Sequence, residues 1–595
     1  MPGFTTRPEI LGTFGVVAST HWLASATAMA MLEKGGNAFD AAAAGGLALQ
    51  VVEPHLNGPG GDLPLLLYSA REDRVRVICG QGPAPQAATI EAYRGLGLDL
   101  VPGAGLLAAV VPGAMDAWLL MLRDYGSMPL RAALEPAIAF AREGYPLLPM
   151  ISATIGRMRE MFETEWPSSA AVYLPGGEVP EAGSIFRNPA LAGTYERVLR
   201  EAETAGHGRE GQIEAARRAW YRGFVAEAID AFCRNELMDS SGRRHRGLLS
   251  ASDMNAWQAS YEEPLGCDYH GYTMLKAGPW SQAPVALQQL LLLKGFDLGS
   301  LTATDPEFVH TAVECAKLAF ADREAFYGDP DFVEVPMATL LSDAYNDGRR
   351  GLIDARASHE LRPGRIEGFG GRAGPARRGP LPDEAHAGAH GIGEPTVMRA
   401  DRRGDTCHID VIDRHGNMVS ATPSGGWLQS SPVIPGLGFC LGSRAQMFWL
   451  EDGLPGSLAP GKRPRTTLSP SMAFKDGRPY LAFGTPGGDQ QDQWALAVFL
   501  RHVHFGMNLQ EAIDAPAFST AHFPSSFYPR EHRPGHLAIE GRFPKATLDE
   551  LGRRGHDLEV SEDWSLGRVV ACAKDGPVLK AAANPRHMQN YAIGR

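Results

Sequence analysis

The chain lacks any C-x-x-C pair. Its seven cysteines (Cys79, Cys233, Cys267, Cys315, Cys407, Cys440, Cys572) are odd in number and widely spaced. That pattern argues against a zinc ribbon, a dithiol redox motif and a disulfide framework, and it predicts reduced, buried thiols. Long apolar runs are missing too. Glu33 and Lys34 interrupt the Ala/Met/Leu stretch that follows Thr20 before it reaches bilayer length, and Met1 to Glu9 shows no charged segment followed by an apolar one. A cytoplasmic protein with no membrane partner is expected. Blocks of like charge are absent: the net charge is −12 and the basic residues are scattered, so no nucleic-acid partner is expected. No repeat of fixed period and no sustained heptad occurs.

What is present is a soluble, globular composition, 44% hydrophobic and 21% charged over 595 residues, enough for a large core. Apolar residues at helical spacing predict helices over Thr20–Leu32, Ala41–Val52, Leu130–Arg142 and Gln282–Lys294. Pro112 starts another helix, ending near Gly126, and Pro306–Tyr327 is opened by Thr304 or Asp305 as cap. Between them, Asn57-Gly58-Pro59-Gly60-Gly61-Asp62 reads as a backbone-permissive turn into a strand at Leu65–Tyr68, paired with Val75–Cys79. The first part of the chain is thus helix-rich. Over about 356–405, Gly, Pro, Arg, Ala and His dominate and apolar periodicity vanishes, which predicts a flexible linker. Strands follow: hairpins are expected around Arg414-His415-Gly416-Asn417, Asp476-Gly477 and Asp575-Gly576.

Asp405-Thr406-Cys407-His408-Ile409-Asp410 places a threonine where the linker ends and an alternating strand begins. If the bond between Asp405 and Thr406 breaks, Thr406 carries a hydroxyl and an α-amine on one residue. An α-amine titrates at about 7.7–8.0, so such a threonine is a nucleophile with its own base. A simple loop-to-strand junction is the alternative. Alternation puts Thr406, His408 and Asp410 on one face and Cys407 on the other, so a Cys407 nucleophile would need a different cut. His408 with Asp410 has the chemistry of metal ligands, but no third ligand follows at a recognised spacing and no metal is expected. Further on, Arg465-Thr466-Thr467 sets two hydroxyls before a strand. Gly484-Thr485-Pro486-Gly487-Gly488-Asp489 is a glycine turn before a helix, where backbone N–H groups can stabilise an anion or simply make a tight turn.

In collinear order these pieces resemble the γ-glutamyltranspeptidase family of N-terminal-nucleophile hydrolases. Gly35-Gly36-Asn37-Ala38-Phe39-Asp40, Gly60-Gly61, Val111-Pro112-Gly113, Tyr125-Gly126-Ser127-Met128-Pro129 and Ala141-Arg142-Glu143-Gly144-Tyr145 resemble the family's large-subunit signatures. Thr406-x-His408, Gly416-Asn417, Lys462-Arg463-Pro464, Ser469-Pro470 and Pro486-Gly487-Gly488 resemble those of its small subunit. The resemblance implies an α+β fold, a four-layer αββα sandwich, and a precursor that cuts itself between Asp405 and Thr406. It implies a large subunit, 1–405, and a small subunit, 406–595, that stay associated, with pairing of αβ units left open. By matching position it implies Thr406 as nucleophile and base, Ser424 beside its amine, Thr466 and Thr467 as substrate-binding hydroxyls, Gly487 and Gly488 as oxyanion donors, a structural Asn417, and no cofactor.

The sequence departs from the family where a glutamyl donor would be held. Ile90 stands where the arginine is expected, Ser424-Gly425-Gly426 replaces an asparagine, and Arg444 and Met447 fall on a glutamine and an acid. Arg444, with Arg465, then supplies positive charge to an acyl group bearing a carboxylate but no ammonium. The run Thr485–Trp494 is similar to the oxamate amidohydrolase branch of the family. The expected activity is hydrolysis of a small carboxylate-bearing amide such as oxamate. A γ-glutamyltransferase or glutathione hydrolase, a cephalosporin-type acylase, and an uncleaved binding protein are the alternatives.

Overall fold

Two seven-stranded antiparallel sheets stacked on each other carry the chemistry-bearing segments. The computed structural model describes residues 4–375, 377–378 and 406–595, so Asp405 and most of the linker lie outside the described residues. The first sheet runs, in spatial order, β14 (Tyr591–Gly594), β2 (Gly15–Ser19), β8 (Ile409–Asp413), β9 (Met418–Ala421), β3 (Leu63–Ser69), β4 (Arg74–Gly80) and β5 (Ser260–Glu262). The second runs β1 (Ile10–Gly12), β13 (Val578–Ala583), β12 (Val570–Asp575), β11 (Arg478–Gly484), β10 (Ser471–Lys475), β7 (Tyr272–Lys276) and β6 (Leu265–Tyr269).

Helices complete the sandwich on both sides. The small residues of α1 (Trp22–Glu33) and α2 (Ala38–Val52), among them Ala24, Ala28, Ala41 and Ala44, pack on Ile409 and Val411. This approach is close enough that a Cβ on Gly45 would meet Ile409 Cδ1 at 2.6 Å. Between the sheets lie Val16, Ala18, Leu66, Ile412, Met418, Met472 and Val570. On the far side, α3 (Pro284–Leu293), α4 (Pro306–Phe326) and α5 (Gln491–Phe505) cover Met274, Leu481 and Phe483. Burying such side chains supplies about 1.5–3 kcal/mol each. The αββα architecture implied by the sequence is therefore present.

Local chemistry explains several boundaries. Asn37 caps α2, accepting from Phe39 N and Asp40 N, while Asp40 returns a bond to Asn37 N. Asp40 also receives Ser127 N and Met128 N, which joins two of the separated sequence signatures. Asp413 closes the β8–β9 hairpin by accepting from His415 N and Asn417 N, and it accepts Ala38 N at the start of α2. Asn417 Nδ2 donates to the same carboxylate, consistent with a structural role. Asp305 caps α4, with Pro306 in its first turn. All seven cysteines are free thiols.

One expectation changes. The linker was expected to be loose from residue 356, yet its first part is docked: Lys317 Nζ donates to Ser358 O, His522 Nε2 contacts Glu360 O, and Gly364 N donates to Asp322. Composition registers missing periodicity, whereas this strap is held by polar side chains from distant elements. Residues on either side of Thr406 contribute strands to both sheets. β8 pairs with β2 and β9 with β3, so both sheets interleave the two segments.

Candidate active site

Thr406 sits at the head of the β8–β9 hairpin, in a register that continues the pairing of Ile409 with Ala421. It lies opposite Ser424, and their hydroxyls are 3.1 Å apart. Ser424 is paired on its other side with Asp62: Asp62 N donates to Ser424 O at 2.8 Å, and Ser424 N donates to Asp62 O at 3.0 Å. Directly opposed residues of antiparallel strands share a face, so Thr406, Ser424 and Asp62 form one row of side chains. All three are buried. The glycines before Asp62 make the row possible, since a Cβ on Gly61 would meet Ser424 O at 1.9 Å.

Behind this row the same face stays polar. His408 contacts Thr422 Oγ at 2.8 Å through Nδ1 and Asp410 Oδ1 at 3.0 Å through Nε2. It lies against Gly484, where a Cβ would come within 2.2 Å of the ring. His408 and Asp410 are thus hydrogen-bonded to each other. Among the described residues, one His/Glu cluster approaches metal-ligand spacing: His310, Glu314 and His556. Glu314 is already compensated there by Lys317 and Arg362, so the cluster reads as the anchor of the strap.

Asp62 was read from the sequence only as part of a turn, and it proves central. Its carboxylate accepts Arg444 Nε at 3.0 and 3.1 Å and Thr466 Oγ at 3.3 Å. Burial raises its pKa, with Arg444 opposing. This corrects the expectation that Arg444 offers uncompensated positive charge. Arg465 is corrected likewise: it is buried and paired with Glu324 at 2.8 Å. The acids that face both cations lie far from them in sequence. Ile90 joins a small apolar cluster with Tyr93, Leu107, Val110 and Phe448, and Met447 is buried. Trp427 is core: its Nε1 donates to Leu56 O at 2.6 Å, and Arg444 lies over its ring.

The glycine turn is tied to the same neighbourhood. Gly487 and Gly488 have φ of 128° and 54°, conformations open to glycine, and a Cβ on Gly487 would strike the Trp494 ring. Gln282 links the turn to Thr466, its Nε2 donating to Gly488 O at 3.3 Å and its N to Thr466 O at 2.8 Å. Asp489 is gripped by Arg323 and by Ser526, whose Oγ donates at 2.6 Å. Burial pushes the Asp489 carboxyl up, but Arg323 and Ser526 outweigh it and leave its pKa low. Below, Ser469 Oγ donates to Asp492 at 2.6 Å and receives Lys276 Nζ at 2.6 Å, fixing Ser469-Pro470 against the first turn of α5. The Thr467 hydroxyl and the Asn57 amide are buried without hydrogen-bond partners among the described residues. Such groups ordinarily mark a place where a ligand or water completes the network. A cavity of about 790 Å³, lined by residues such as Val172, Phe186, Val433 and Pro435, contains none of these residues.

The layered sandwich is that of the N-terminal-nucleophile hydrolases, and Thr406 heads one of its interior strands. The chain belongs to the γ-glutamyltranspeptidase family, whose model, described as Gamma-glutamyltranspeptidase, matches residues 24–594. It is 30% identical to the Glutathione hydrolase-like YwrD proenzyme of Bacillus subtilis, over 97% of this chain and 98% of that protein. It is 31% identical to the Oxamate amidohydrolase proenzyme of Klebsiella pneumoniae, over 97% and 98%. The solved structure of LmbA2991HD superposes with a TM-score of 0.93 at 53% identity, covering 100% of both chains. The protein is thus a hydrolase of a proenzyme family acting on amide C–N bonds.

Proposed function

We propose that this chain is a self-cleaving amidohydrolase whose nucleophile is Thr406, freed by scission of the bond to Asp405 and acting on a small carboxylate-bearing amide such as oxamate. The observation that carries the reading is the buried row Thr406–Ser424–Asp62, with the two hydroxyls 3.1 Å apart. Cleavage leaves a large subunit, 1–405, and a small subunit, 406–595, held by the shared sheets. The freed α-amine takes the Thr406 Oγ proton as Oγ attacks the amide carbonyl. The tetrahedral oxyanion is held by the N–H groups of Gly487 and Gly488. Collapse breaks the C–N bond and passes the proton to the leaving amine, releasing ammonia from oxamate. Water, deprotonated by the same amine, then cleaves the acyl ester. Ser424 orients the Thr406 amine and hydroxyl, Thr466 and Thr467 contact the substrate, and Arg444 faces its carboxylate while leaning on Asp62. Arg465 supports this wall through Glu324 and Arg323.

A second reading is favoured by one observation. Because Asp62 stands beside Arg444, the site offers an anion as well as a cation, which suits a donor carrying both an ammonium and a carboxylate, as a γ-glutamyl group does. Ammonia release from oxamate, compared with anilide release from a γ-glutamyl anilide, separates the two. Turnover of oxamate with the anilide ignored supports the first reading, and the reverse result overturns it.

A further inference from the structure

Glu53 is a buried acid that the reaction above does not use. It caps the C-terminus of α2 and lies on the helix side of β8, behind the nucleophile. It is fully buried, and three donors converge on its carboxylate. Cys407 Sγ is 2.9 Å and Thr20 Oγ 2.7 Å from Oε2, and Gln589 Nε2 is 2.6 Å from Oε1. Thr20 in turn clamps the next residue of the strand, its N donating to His408 O at 3.0 Å. Beyond Gln589, Asn590 Nδ2 donates to Arg568 O, and Arg568 Nη2 reaches the carbonyl of Thr406 itself at 3.4 Å.

We infer that the ionised carboxylate of Glu53 is a positioning residue for Thr406, holding the strand head through Cys407 and Thr20 and, with Arg568, the nucleophile's own carbonyl. The inference rests on Thr406 being the nucleophile. Three groups donate to the carboxylate, and the contacts from Cys407 and Thr20 oppose the burial that favours its protonated form. The Cys407 thiol is pushed well up by burial and by Glu53, so it remains a donor. Of the other groups facing the site, His21 is lowered to about 3 by burial and His55 is lowered as well. Tyr145 is raised by burial and by Glu53 and stays neutral, which leaves the Arg568 guanidinium as the charge facing Glu53 among the described residues. Burial lifts Glu53 to about 7, against the pull of Cys407, Arg568 and Thr20. The carboxylate therefore discharges as pH falls through about 7, and the grip on Thr406 loosens with it.

The test compares wild type with Glu53→Gln, Glu53→Asp and Gln589→Leu. It measures the N-terminus of the small fragment by mass spectrometry, the thermal midpoint, and kcat and KM across pH with whichever of oxamate or a γ-glutamyl anilide turns over. Glu53→Gln is expected to fold, to lower kcat by about 10- to 100-fold with KM little changed, and to lose one ionisation from the acid limb of kcat. Glu53→Asp restores part of kcat and the limb. Gln589→Leu, which removes one donor from the anion, moves the limb to higher pH, a readout available even if Glu53→Gln does not fold. Wild-type kcat and an unchanged limb in Glu53→Gln, or an unmoved limb in Gln589→Leu, overturns the inference. Absence of a Thr406 terminus from active wild type refutes the nucleophile reading instead, so the two failures are distinguishable.

Discussion

At the scale of single residues, Asp62 and Arg444 carry the most immediate energetic prediction. Their pair is buried, and removing one member strands the other charge, a loss of about 3–5 kcal/mol. Asp62→Leu or Arg444→Met alone should lower the chemical-denaturation midpoint strongly, whereas the double variant should recover much of the loss. Additive losses would show that the pair is not coupled. Glu53 makes a prediction of opposite sign. Its pKa is raised in the folded protein, to about 7, so the folded state binds more protons than the unfolded state between about 4.5 and 7. This group's contribution therefore falls as pH rises through that window, by up to about 3 kcal/mol. Glu53→Gln should be no less stable than wild type at pH 8, in a thermal melt, while being less active.

At the scale of elements, the glycine turn before α5 is held by ionised acids. Asp489 and Glu324 are pushed up by burial but more strongly lowered by Arg323, Arg465 and, for Asp489, Ser526. A lowered carboxyl contributes stability that is present above its unfolded pKa, about 4, and is lost as pH falls through the folded value. Acid titration followed by tryptophan fluorescence should report loosening of this turn, seen through Trp494 beside Gly487, below about pH 4. Asp489→Asn should remove much of that acid dependence. An unchanged titration in the variant would place the acid lability elsewhere. The elements themselves were largely legible in the sequence. Asp305-Pro306 signals a helix start, and Arg414-His415-Gly416-Asn417 signals a hairpin, because caps and turns are written in adjacent residues. The α2 start shows the limit: Gly35-Gly36-Asn37 reads as a stop for one helix, while Asn37 is also the cap that starts the next.

At the scale of the whole molecule, the candidate site was legible in part. Thr406, Thr466 and the Gly487-Gly488 turn could be named because each lies in a local motif, and Ser424 by its match to the family pattern; Thr406, Ser424 and Thr466 are brought together through Asp62. The partners of Arg444 and Arg465 could not be named, because Asp62 and Glu324 are far away in sequence and only the fold brings them near. The same holds for Glu53 and Gln589 behind Thr406. Since β8 and β9 lie between β2 and β3, cutting the chain before Thr406 severs a connection without unmaking either sheet. The two fragments should therefore co-elute in size-exclusion chromatography and melt in one transition. Separation of the fragments without denaturant would contradict the shared-sheet account.

The central claim is that a new chain end at Thr406 performs the chemistry, and N-terminal sequencing of the active protein addresses it directly. The account predicts a smaller fragment beginning Thr406-Cys407-His408 in active wild type, and in Thr406→Ala a single uncut chain without turnover. Full activity from a chain with the bond before Thr406 intact, or two fragments from Thr406→Ala, would contradict it.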